Sequence, residues 1–261
     1  MWPAVDADTA PVGPASGELW RMLRAHAAPA ARPCRRCGNG YPIAPACLAA
    51  CITPIPGDAC PRCAQPRTGG ACRSLGCVRG WSRIRRADAV LGYKHGDVER
   101  LVLAAKRLEG WAVTALGRLL AGWLLDAAGR RRYDVVLPVP FHAAGLQGRP
   151  AHPLTSIYLG ARPAVWPRVR ADDLAPPLLV QTRPRPARWA QSEPARWRSV
   201  RGTVALAFPT RLLRGARVLI VDDVLTSGAT VSECARVILD EGGAAAVDAV
   251  ALARQPWRPR R

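Results

Sequence analysis

An α/β domain with a parallel sheet and flanking helices, preceded by a small cysteine-rich module, is the architecture expected of this 261-residue chain. Three observations carry that expectation. Continuous apolar runs of strand length recur with amphipathic segments between them, as in a parallel sheet buried on both faces. One run ends in an acid pair and a short hydroxyl-rich loop that leads into an amphipathic segment. Eight of the nine cysteines fall between residues 34 and 77, ahead of the first strand.

The bulk numbers agree with this plan. The length allows one medium domain plus a small one, and 49% apolar residues suffice for a core. The most apolar stretch, Ala112 to Ala128, is broken by Arg118 and Asp126, so no membrane span is read. The first thirty residues lack a basic segment followed by an apolar one, so no secretory signal is read. A cytoplasmic location is the expectation. The net charge is +19, and Lys94 and Lys106 are the only lysines among 38 basic residues. Such an excess implies affinity for polyanions, with nucleic acid as the leading candidate beside plain solvated charge.

In chain order, residues 1–33 read as a flexible leader with a short helix from Glu18 to His26. Residues 34–80 form the cysteine-rich module, with pairs Cys34/Cys37, Cys47/Cys51, Cys60/Cys63 and Cys72/Cys77. In a reducing compartment such pairs are metal ligands rather than disulfides. Two structural zinc ions with four thiolates each would use all eight and would supply folding energy that a small Pro-rich segment lacks. The spacing does not say which pairs share an ion. Cys234 lies apart and reads as a core residue.

Residues 87–254 form the α/β domain. ADAVLGY (87–93) reads as a strand. Asp97 to Leu108 reads as a helix with Val98, Leu101, Val102 and Ala105 on one face, and Trp111 to Ala127 as another. Lys106 closes the first of these helices, where an ammonium can meet a phosphate or pyrophosphate as a compact charge. Asp134 to Val139 reads as a buried strand ending in Pro138-Val139-Pro140. His142, Arg149 and His152 follow, residue types that can bind an anion. Residues 162–201 show no period. They hold many Pro and Arg residues with Trp166, Trp189 and Trp197, as in a lid or a surface that grips single-stranded nucleic acid by charge and stacking. Thr203 to Phe208 and residues 246–253 read as strands. The end of the chain, from Arg254 onward with 255–261 as its basic tail, reads as flexible.

The central stretch is RVLIVDDVLTSGAT, Arg217 to Thr230. Val218 to Val221 form a buried strand, and Asp222 and Asp223 stop it at its carboxyl end, where α/β sheets bind ligands. Thr226, Ser227 and Thr230 offer hydroxyls, Gly228 lets the backbone approach closely, and the next helix begins with free N–H groups suited to a phosphate. Val231, Ala235, Ile238 and Leu239 share one face of that helix, and Gly242–Gly243 ends it. Carboxylates beside a phosphate loop suit sugar hydroxyls or a hydrated cation, so the set describes a ribose 5-phosphate site.

The stretch closely resembles the phosphoribosyl-pyrophosphate (PRPP) motif of type I phosphoribosyltransferases. The order of cysteine pairs, the AAKRLEG segment around Lys106, Pro138–Pro140 and Val221–Thr230 resembles the ComF family, over roughly residues 34–254. Gln191 and Arg196 fit a looser family pattern. The resemblance implies a type I phosphoribosyltransferase-like sheet behind a zinc module. It implies PRPP binding by Asp222, Asp223, Leu225, Thr226, Ser227, Gly228, Ala229, Thr230, Lys106 and Arg149, with Mg²⁺. It also implies a link to natural competence and DNA uptake, with single-stranded DNA and competence-machinery proteins as partners. Two segments depart from the family: Arg149-Pro150-Ala151-His152 stands for Arg-Gly-Phe-Asn, and Ser199 for Asn. They flank the pyrophosphate and acceptor side, so ribose-phosphate binding is implied more directly than transfer. Three functions follow: a phosphoribosyltransferase that releases pyrophosphate, a non-catalytic single-strand-binding accessory, or a PRPP-sensing regulator. No side chain stands out as a catalytic base.

Overall fold

The computed structural model describes residues 54–131, 133–142, 152–165, 170–171, 177–184 and 192–256. In chain order the elements are α1 (Leu75–Val78), β1 (Arg86–Ala89), α2 (Gly96–Lys106), α3 (Gly110–Arg131), β2 (Val135–Pro138), α4 (Pro153–Val165), β3 (Arg170–Ala171), β4 (Leu179–Gln181), α5 (Glu193–Val200), β5 (Val204–Leu206), β6 (Arg217–Leu225), α6 (Ala229–Arg236) and β7 (Ala246–Arg254). A π-helical turn, Val237–Glu241, continues α6.

The expected parallel sheet is present. Its order is β1-β7-β6-β2-β3 and every neighbouring pair is parallel. β6 is central, and Val218, Leu219, Ile220 and Val221 are all fully buried. Each such aliphatic side chain contributes about 1.5–3 kcal/mol by leaving water, which is why this run admits no polar residue. Helices flank the sheet as two groups. α2, α3 and α4 pack on one another and reach β2, β6 and β7. The other group is α6 with its π-helical turn, α5, α1 and the antiparallel β4–β5 pair.

The amphipathic faces lie where the periodicity puts them: Val98, Leu101, Val102 and Ala105 on α2 are buried, as are Val231, Ala235 and Ile238 beyond β6. Cys234 is buried in the main core. No helix among the described residues is long and apolar enough to cross a membrane.

Three readings change. Asp222 and Asp223 do not end their strand: β6 runs on to Leu225 because β7 is equally long, pairing Val224 with Ala253 and Leu225 with Arg254. The aperiodic 162–201 stretch contains the end of α4, β3, β4 and α5. Its Pro and Arg residues conceal a helix start, since Ser192 Oγ accepts the Ala195 amide as an N-cap with Pro194 just inside. Arg254 is not the start of a loose tail but the last residue of β7, and it is fully buried. The leader, the cysteine pairs Cys34/Cys37 and Cys47/Cys51, Arg149, Trp166, Trp189, Gln191 and residues 257–261 lie outside the described residues.

Candidate functional site

The loop after β6 is built by the sheet below it. Gln255 N donates to Leu225 O at 2.9 Å, so sheet-like bonding continues to the loop's edge. Gly228 then turns the chain with φ +79° and stands at the N-cap of α6. That left-handed conformation is what demands glycine; the space around an added Cβ is open. Ser227 Oγ accepts the Ala229 amide at 3.4 Å. Thr226 and Ser227 are half-buried, and Ala229 and Thr230 are buried. The back of α6 is anchored on both sides. Glu233 accepts the Gly202 amide at 2.8 Å and pairs with Arg236 at 3.0 Å. Ser232 Oγ accepts the Arg83 amide at 2.8 Å and donates to Trp81 O at 3.0 Å.

The two carboxylates differ in exposure. Asp222 is buried and its Oδ1 accepts the Asp223 amide at 2.8 Å. Asp223 is the more open, and Lys106 Nζ stands 2.8 Å from its Oδ2. Of the residues expected to share one site, the structure thus brings Lys106, at the end of α2, to the acid pair and sets the hydroxyl loop beside it. His152 stacks on Phe141, with ring centroids 4.6 Å apart. Ser199 Oγ donates to Arg196 O within α5 at 3.1 Å.

This arrangement agrees with what is found among known families. The phosphoribosyl transferase domain model matches residues 191–261, from the approach to α5 through β7. The α/β domain is phosphoribosyltransferase-like. The match spans the acid pair, the hydroxyl loop and α6, which are the elements just described. No curated protein matches the chain.

Ahead of the phosphoribosyltransferase-like domain, the sequential pairs Cys60/Cys63 and Cys72/Cys77 come together. Their four sulfurs all lie within 4.8 Å of one another. Cys60 and Cys77 are 3.9 Å apart, and Cys63 and Cys72 3.5 Å. A tetrahedral ion with Zn–S bonds of ~2.3 Å needs sulfurs about 3.8 Å apart, so the donor set and its size fit a structural zinc. Of the two four-thiolate sets expected, one is present among the described residues. Cys34, Cys37, Cys47 and Cys51, the other four expected ligands, all precede the first described residue of the module. Local chemistry explains the convergence of the set that is seen. Around Cys60–Cys63 the chain turns so that Ala64 N donates to Cys60 O at 2.8 Å and Cys60 N to Gln65 O at 2.9 Å. Thr68 and Ala71 then exchange amide bonds across Gly69–Gly70, both at positive φ, in a tight hairpin that returns Cys72 to Cys63. Cys77 comes from α1. The sulfurs share protons unevenly: hydrogen bonds from Cys63 and Cys77 hold the Cys60 pKa far down, while Cys63 is pushed up to about 12 and Cys77 is also raised.

The cysteine module is docked on the domain. Leu75 N donates to Glu193 Oε1 at 3.1 Å, and Gln65 Nε2 to Gln255 O at 3.1 Å. Gly76 lies under the Trp197 ring, where a Cβ would stand 2.1 Å from a ring carbon. Trp197 is therefore spent on this contact and on Trp81, 5.9 Å away between centroids, which removes it from the base-stacking expectation.

Sequence reasoning missed Ser232, Glu233 and Arg254. The first two carry no signal, since a helix facing another layer usually shows apolar residues there. Arg254 does carry one: a charge closing an apolar strand, beside the strand that holds the acid pair.

Proposed function

We propose that the loop 225–230 binds the 5-phosphoribosyl group of PRPP with Mg²⁺. One observation carries this reading: a central parallel strand delivers Asp222 and Asp223 to the foot of a hydroxyl loop that opens α6 through Gly228. The loop amides and the hydroxyls of Thr226, Ser227 and Thr230 would donate to the 5′-phosphate, and Asp222 and Asp223 would accept from the ribose hydroxyls. Lys106, held on Asp223, would pass to the pyrophosphate when the ligand arrives; Arg149 is assigned to the same side. In transfer, the bond from C1′ to pyrophosphate breaks and an acceptor nucleophile takes C1′. The protein's part is positioning and stabilisation of charge. The cysteine module serves as a structural zinc centre, with Cys34, Cys37, Cys47 and Cys51 assigned to a second ion. The protein acts in the handling of incoming DNA as ComF-like proteins do.

Calorimetry with PRPP and Mg²⁺ tests this. Wild type should bind. Asp222→Asn with Asp223→Asn should lose most of the affinity, and Thr226→Ala should lose about 1–3 kcal/mol. Gly228→Val should lose more than Thr226→Ala, because the left-handed turn disfavours a β-branched residue. No heat from wild type at millimolar PRPP would sink the reading. A second reading, single-strand binding, draws on the net charge of +19, and a steep loss of affinity with salt is its signature.

A further inference from the structure

Arg254 ends β7 beside the loop and is 1% exposed. Its backbone is pinned on one flank, where its N donates to Gly92 O at 2.8 Å and its O accepts the Lys94 amide at 2.7 Å. On the other flank it lies opposite Leu225 of β6. One guanidinium nitrogen donates to both Leu225 O and Thr226 O, the carbonyls from which the loop springs. Leu225 O also accepts the Gln255 amide at 2.9 Å. Among the described residues Arg254 forms no ion pair with a carboxylate. Burying a charge in this way is costly, and an aliphatic residue would continue the buried run 249–253 without that cost.

Two successive carbonyls on one donor break the rhythm of the strand. A strand repeats every two residues, so its successive carbonyls point to opposite edges. Leu225 O and Thr226 O instead both turn toward β7. In a planar trans peptide the N–H lies opposite the C=O. The amides of Thr226 and Ser227 therefore both face away from β7, side by side. Neither donates a hydrogen bond among the described residues. Successive N–H groups turned to one side make a concavity that suits an anion. We propose that Arg254 is a positioning residue for the sugar phosphate: by holding both carbonyls, it turns the amides of Thr226 and Ser227 together onto one phosphate. The guanidinium does not touch the ligand and acts through the backbone alone. The inference rests on the ribose-phosphate reading of the loop.

Ribose 5-phosphate titrated into the full chain gives the test, with affinity read by calorimetry and the amides of Thr226 and Ser227 followed by NMR on nitrogen-labelled protein. In wild type both amide signals should move on binding. Arg254→Met keeps most of the side chain's bulk but has no donor. It should weaken binding about tenfold or more, the loss expected when a charged donor is removed, and the two amides should no longer move together. Arg254→Lys should bind more tightly than Arg254→Met, because a single nitrogen holds both carbonyls in the wild type. An arginine with only a structural role would lower the unfolding temperature in both variants and leave affinity and amide response as in wild type. That result overturns the inference while the loop assignment stands. If wild type binds no ribose 5-phosphate, the loop assignment fails and takes the inference with it. Should Arg254→Met fail to fold, the wild-type spectra decide: bound ribose 5-phosphate that leaves the Thr226 and Ser227 amides unmoved overturns the inference.

Discussion

The cysteine turn around Cys60–Cys77 and the loop around Gly228 both bond to Gln255, but different forces shape them. Among the described residues the cysteine turn has a small satellite core of Ile55, Ala59, Ala64, Ala89 and Tyr93, with Ala87 packed against it. Its shape comes from where four sulfurs must meet. The Gly228 loop stands on Val218–Val221 and is backed by a helix whose inner face is wholly buried. Its shape comes from the main core. One turn is therefore arranged around four donors that fit a metal ion, and the other stands on packing the chain already owns.

Removing the metal should have the largest effect. Binding at structural zinc sites is worth ~10–16 kcal/mol at neutral pH, far more than the satellite core supplies. Protein purified under reducing conditions should hold zinc, and Cys60→Ser should release it and leave residues 54–80 open to proteolysis while the α/β domain persists. The ion displaces protons from the thiols, and Cys63, raised to about 12, and Cys77 hold theirs tightly. Retention should thus fall as pH falls, which metal analysis after dialysis at stepped pH will show. Zinc-free protein with residues 54–80 still protected would break the contrast.

Next comes a cut in the other region. Ile220→Ala, at a fully buried position in β6, should cost about 2–5 kcal/mol in denaturant unfolding without lowering zinc content. Loss of zinc in this variant would mean that the two regions fold as one unit.

The smallest effect probes the seam between them. Gly76→Ala drives a methyl into the Trp197 ring and should cost roughly 1–3 kcal/mol. Zinc should stay, while thermal unfolding and protease sensitivity of the module change. An unchanged unfolding curve would show that the module's docking contributes nothing to stability.

How much of this was legible in sequence follows the same division. β6, its acid pair and the loop could be read because a doubly buried strand is a continuous apolar run and a phosphate-type loop has few chemical solutions. The faces of α2 and α6 could be read because 3.6-residue periodicity survives wherever a helix buries one side. The pairing of cysteines could not, since it depends on a hairpin at Gly69–Gly70 whose register is a matter of space. Helix α5 was hidden because only Trp197 and Val200 of its residues are buried, too few to show a period among prolines and arginines. Arg254 looked like the start of a basic tail because composition cannot tell a solvated arginine from one buried against backbone carbonyls.

The pairing of β1 with β7 has a consequence for how the protein is made. Cys60 to Cys77 leave the ribosome early, but the partners on which they dock, Glu193, Trp197 and Gln255, are translated much later. At ~5–20 residues per second the wait is roughly tens of seconds. During that interval the first strand of the sheet also lacks β7, its only strand neighbour among the described residues. The nascent amino-terminal half therefore emerges with an unpaired strand edge and free thiols, and a metal ion taken up during synthesis would hold the thiols before the final strand arrives to cover the edge.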